Sequence, residues 1–109
     1  MESLSNIEYY GEENYSLVSI NPKTYPLEAV YSAAYLFTEK AYVLIEGDPS
    51  IEIIVELSPK AKANNAKTMA QSFNNELLHQ SLFNLTSKKN ATARDMILRQ
   101  VFATNSKND

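Results

Sequence analysis

The chain has no cysteine, no tryptophan, a single histidine and two glycines among its 109 residues. Without cysteine there is no disulfide framework, no thiol nucleophile and no thiolate-held iron–sulfur cluster, and a reducing compartment is compatible. His79 has no cysteine and no nearby carboxylate pair with which to complete a zinc site, and no nucleophile partner in sequence, so it reads as an ordinary solvated residue. Two glycines leave no loop to cradle a phosphate. Long apolar runs are missing too, and the start MESLSNIEYY lacks the basic and apolar segments of a secretion signal. These features predict a cytoplasmic protein with no membrane partner. The three Asn-x-Ser/Thr sequons, at Asn14, Asn84 and Asn90, carry no meaning in that setting.

What is present is apolar and aromatic. Hydrophobic residues make up 44% of the chain, with seven tyrosines and four phenylalanines, enough for one modest core and one domain. The chain is organised around 25–59, YPLEAVYSAAYLFTEKAYVLIEGDPSIEIIVELSP. Pro26 suits a first helical turn, and Glu28 stands where the helix dipole favours a carboxylate. Leu27, Val30, Tyr31, Ala34, Phe37 and Ala41 recur at helical spacing, which predicts a helix over 26–40. Ala29, Ala33, Tyr35 and Leu36 widen its apolar face, so a sheet and a second helix or another chain are expected to cover it, with Tyr31 in the core. A strand at 42–46, turn chemistry at Gly47-Asp48-Pro49-Ser50, and alternation of Ile51, Ile53, Val55 and Leu57 with Glu52, Ile54 and Glu56 predict an antiparallel hairpin.

Outside this stretch, 15–20 (YSLVSI) reads as a first strand, and the polar, acidic residues 1–14 as a mobile arm. Ala66, Met69, Ala70, Phe73 and Leu77 mark a helix face expected against the sheet. Leu78, Leu82 and Leu85 form a second stripe expected to have its own neighbour, with a break at 86–90. A last helix buries Met96, Ile97, Val101 and Phe102, and the end of the chain, 104–109, frays. The resulting fold class is a two-layer α+β domain over 15–103. It has a small, mainly antiparallel, three-stranded sheet with helices on one face, in the order β-α-β-β-α-α.

Residues 1–58 carry ten acidic and two basic side chains, a balance of −8, and residues 59–109 carry three acidic and eight basic ones, a balance of +5. An acidic sheet half packed beside a basic helical half accounts for this; a docking face for an acidic partner is the second reading. Because the strands carry Glu where an RNA-binding sheet needs Lys or Arg beside its aromatics, nucleic acid is disfavoured. Glu46, Asp48, Glu52 and Glu56 cluster at the hairpin and read as solubilising, edge-protecting charges. A metal or acid–base site built from them is the alternative. No catalytic, metal-binding or cofactor-binding residue is assigned. If helices cover one sheet face, the other presents Tyr42 and Leu44 beside Ile54, rimmed by Glu52 and Glu56. Together with Tyr35 on the helix, these six residues are the candidate partner-binding set, and a protein or peptide, or a second copy in a homodimer, is expected to bind this open face or its edge strand.

The segment YPLEAVYSAAYLFTEKAYV, a short hairpin and then FNNELLHQSL together resemble the HxsD family, small proteins of His-Xaa-Ser peptide-modification systems. The resemblance runs from about Leu17 to Val101. After Leu78 the family pattern continues with Asn, Asp and Tyr, where this chain has His79, Gln80 and Ser81. The resemblance implies a helper that acts beside radical S-adenosylmethionine enzymes and a peptide rich in His-x-Ser repeats, with no activity and no cofactor of its own. A small metal-dependent enzyme and a self-associating structural module are the alternative functions.

Overall fold

The computed structural model describes residues 5–89, with side-chain surroundings through Phe83. The elements are β1 (Ile7–Tyr10), β2 (Tyr15–Ile20), α1 (Leu27–Leu36), β3 (Ala41–Asp48), β4 (Glu52–Pro59) and α2 (Ala66–Lys89). All strand pairings are antiparallel, in the order β1-β2-β4-β3. The class is α+β, but the sheet has four strands, not three. The added strand comes from the segment expected to be a mobile arm, because side chains of β1 and its turn reach across to α2. Asn6 and Asn74 exchange amide hydrogen bonds at 3.0 and 2.9 Å, and Asn65 Nδ2 donates to Tyr9 Oη at 3.1 Å. Asn14, held at φ 54° in the β1–β2 turn, accepts from Ala66 N–H at 2.9 Å and donates to the Asn64 carbonyl at 2.8 Å.

The strand read from sequence as the first, β2, does not pair in parallel with the hairpin. It lies antiparallel beside β4, so β2 and β3 run the same way with β4 between them, and α1 makes the connection. Asn21 prepares α1: its carbonyl accepts from Thr24 and Tyr25 N–H, and its side chain accepts from Lys23 N–H. The helix ends at Leu36, four residues before the expected Lys40. There the last turn tightens, with Phe37 N–H on Ala34, Thr38 N–H on Tyr35, and the Thr38 hydroxyl also on the Tyr35 carbonyl at 2.7 Å. The start of α2 is capped by Asn65, whose Oδ1 accepts from Lys67 and Thr68 N–H at 2.8 and 3.0 Å. This helix continues through 86–89, where a break is expected. The predicted last helix lies outside the described residues.

Strand alternation puts the core on one sheet face. Val18 and Ile20 of β2 and Ile53, Val55 and Leu57 of β4 are buried there with Ala29, Val30, Ala33 and Ala34 of α1, Phe37 at its C-terminal cap, and Met69, Ala70, Phe73 and Leu77 of α2. Phe37 and Phe73 meet edge to face, 5.6 Å apart. Two expectations fail at the margins of this core. Because the buried side of α1 is mostly alanine, the helices approach closely on small residues and Tyr31 is left outside, 54% exposed. Leu78 and Leu82 are likewise exposed, so the second stripe of α2 has no cover among the described residues. In the hairpin, Ile51 is in the turn and exposed, since β3 extends to Asp48 and β4 starts at Glu52. Gly47 sits at φ 111°, and a Cβ there would overlap the Glu52 carbonyl, so this bend demands glycine.

Candidate functional site

The two helices cover one face of the sheet, and none of the described residues covers the other, the open face. Cross-strand register shows what it carries. Glu8 pairs with Leu17, Leu17 with Glu56, and Glu56 with Leu44, so one row runs Glu-Leu-Glu-Leu across all four strands. The next row places Ile54 between Ser19 and Glu46. On β4 itself Glu52 and Glu56 stand two residues either side of Ile54, hence on the same face. Ile54 is therefore a half-buried apolar centre surrounded by Glu46, Glu52, Glu56 and a serine. Toward the far end, Tyr10 stacks on Tyr15 with ring centroids 4.6 Å apart, and Lys60 Nζ lies 5.2 Å over the ring of Tyr42.

Of the six residues singled out from sequence, Tyr42, Leu44, Glu52, Ile54 and Glu56 share this face. Tyr42 and Leu44 are 68% and 49% exposed. Tyr35 is not with them: it projects from α1 in the opposite layer, 75% exposed. Three further members, Tyr10, Tyr15 and Leu17, were not singled out. The period of two in YSLVSI does place Tyr15 and Leu17 together, but only the pairing of β2 with β4 brings them to Ile54 and Glu56.

The carboxylates are set up as surface charges. Among the described residues no ion pair joins Glu46, Glu52 or Glu56 to a cation, and no group of three or more His, Asp or Glu side chains is disposed to hold a metal ion. Asp48 is engaged with the turn: the hydroxyl and the backbone N–H of Ser50 donate to its Oδ1 at 2.7 and 2.9 Å, and these bonds hold its carboxyl below the usual aspartate range. Glu8 accepts from the Tyr10 hydroxyl at 3.1 Å, and this bond, with the nearby negative charge, raises the phenol above its ordinary value. His79 lies on the exposed flank of α2 in a shallow hollow with Asn75, Leu78, Leu82 and Phe83. No described helix is long and apolar enough to cross a membrane.

No curated protein and no solved structure matches the chain. A family model does, the one described as His-Xaa-Ser system protein HxsD, over residues 20–108. That span takes in both helices and the whole hairpin, and so the hairpin half of the open face, but of β2 only its last residue, Ile20. The chain belongs to the HxsD family.

Proposed function

We propose that this chain is a non-catalytic accessory subunit of a His-Xaa-Ser peptide-modification system, working beside radical S-adenosylmethionine enzymes and engaging the enzyme or its peptide through the open sheet face. The observation that carries the reading is Ile54, an apolar centre ringed by Glu46, Glu52 and Glu56 on an uncovered sheet. Apolar patches with a charged rim are typical of contact surfaces. The unpaired carboxylates favour a partner that brings Lys or Arg to the rim and an apolar side chain to the middle. The family membership supplies the setting.

The test is Ile54→Lys, with the protein co-expressed with a radical S-adenosylmethionine enzyme and a His-x-Ser-rich peptide of such a system. Because Ile54 is on the face away from the helices, circular dichroism should stay that of the parent, while co-purification of the partner is lost. Unaltered co-purification would move the interface elsewhere, first to Tyr31 and Tyr35 on α1. Loss of the folded spectrum would make Ile54 a core residue.

A further inference from the structure

The two edges of the sheet are built differently. The β1 edge has four residues, and Ser5 Oγ already accepts from Ile7 N–H at 3.2 Å. The β3 edge has eight, and from Ala41 to Glu46 its register is continuous, with no proline, lysine or bulge to blunt it. Lys60 N–H donates to the Lys40 carbonyl at 2.9 Å, which fixes the phase of the β3–β4 ladder. In an antiparallel ladder hydrogen-bonded pairs alternate, so Tyr42, Leu44 and Glu46 bond to β4, and Val43 and Ile45 turn their N–H and C=O groups to the free edge. Among the described residues none covers this edge, and the core is unfinished there. Val43 and Ile45 point to the helix face but are only partly buried, where their neighbours Val55 and Leu57 are fully buried.

We infer that this edge pairs with β3 of a second copy of the chain, antiparallel about a twofold axis at Leu44. Val43 and Ile45 have the outward groups, and a symmetric contact must be reciprocal. A register centred on Leu44 meets both conditions, with Val43 exchanging bonds with the partner's Ile45 and Ile45 with the partner's Val43. On the open face Leu44 then meets the partner's Leu44. Tyr42, with Lys60 over its ring, meets the partner's Glu46. The charge pattern of the edge favours this antiparallel sense: Lys60 lies at one end of the strand, Glu46 and Asp48 at the other, and antiparallel pairing brings unlike ends together. On the helix face, Val43 and Ile45 of each copy cover those of the other, which completes the core where it is open. The two sheets become one continuous sheet with two open faces side by side. This inference does not rest on the proposed accessory role: it is read from the chain alone, whereas that role is read through Ile54→Lys and a partner.

The test is sedimentation of the full chain over a concentration series, with hydrogen exchange read at single amides. A concentration-dependent dimer is expected, with Val43 and Ile45 amides gaining protection as it forms and Leu44 and Glu46 amides protected throughout. Leu44→Lys, which sets two lysines face to face, should weaken the dimer at least ~10-fold, a factor readily resolved in Kd. Glu46→Lys and Lys60→Glu should each weaken it, and the double variant should recover it. A monomer at every concentration overturns the inference, as does a dimer in which Val43 and Ile45 gain no protection. Protection that arises only on adding a lysine-rich peptide also overturns it, by assigning the edge to another chain. Should Leu44→Lys not fold, the exchange pattern of the parent decides by itself.

Discussion

Ser16 shows how one atom can work against the fold that contains it. It lies on β2 opposite Leu57, in the row of Val18 and Ile20, and is fully buried. Its hydroxyl has no hydrogen-bond partner among the described residues. A buried hydroxyl left unbonded costs roughly 1–3 kcal/mol, whereas an apolar side chain of similar shape has no such penalty. Ser16→Ala should therefore stabilise the domain by about 1 kcal/mol, the lower end of that range. The measurement is urea unfolding, with the midpoint rising and the slope unchanged, since the exposed surface hardly alters. A lower midpoint would mean that the hydroxyl has a partner in solution, such as a water under α2.

At the scale of elements, β1 shows what holds a short polar strand in place. IEYY has no apolar alternation, and its burial is slight. Its order comes from the amide pair of Asn6 and Asn74, 68 residues apart in sequence, and from the contact of Asn6 Nδ2 with the Ser19 carbonyl at 3.0 Å. Asn74→Ala removes one partner of that pair, at a cost of about 1–2 kcal/mol for the lost bonds and the exposed amide. Hydrogen exchange at the Glu8 and Tyr10 amides should speed up roughly 5- to 30-fold, what that energy implies at about 1.4 kcal/mol per factor of ten, while the β4 amides keep their protection. Equal loosening of both strands would place Asn74 in the global core. The same strand explains what could be read in advance. Ile53, Val55 and Leu57 announce β4 because burial on one face writes a period of two into the sequence. Val30, Phe37, Phe73 and Leu77 announce the helices in the same way. A strand held by side-chain amides from a distant helix leaves no period, so residues 7–10 read as an arm. The open face was legible on the hairpin, where Tyr42, Leu44, Ile54 and the glutamates are close in sequence. Its other half, Tyr10, Tyr15 and Leu17, depends on a pairing with no local signature. Tyr31 was misplaced because the alanines of α1, not its largest side chains, form the buried surface.

Across the described residues, one layer of helices supports a sheet whose other face none of them covers, so core and candidate interface are back to back on the same strands. Phe73 is central to the supporting side: fully buried, edge to face with Phe37, and in one core cluster with Val55 and Leu57. Truncating a buried phenylalanine to alanine costs about 3–5 kcal/mol, out of the roughly 5–15 kcal/mol that a domain of this kind has in total. Phe73→Ala should therefore lower the melting temperature sharply and leave much of the protein unfolded at growth temperature. Phe73→Leu, which keeps most of the volume, should lose clearly less. An unchanged melting curve for Phe73→Ala would show that α2 presents a different side to the sheet. The comparison with Ile54→Lys matters as much as the cost. Both residues act on β4, one through the core beneath it and the other from its open side. Phe73→Ala should lose partner binding in proportion to its loss of folded protein, and binding should return on cooling to a temperature where the variant is folded. Ile54→Lys should lose binding at every temperature with the fold intact. If the two variants instead behave alike, the open face has no role apart from the core that supports it.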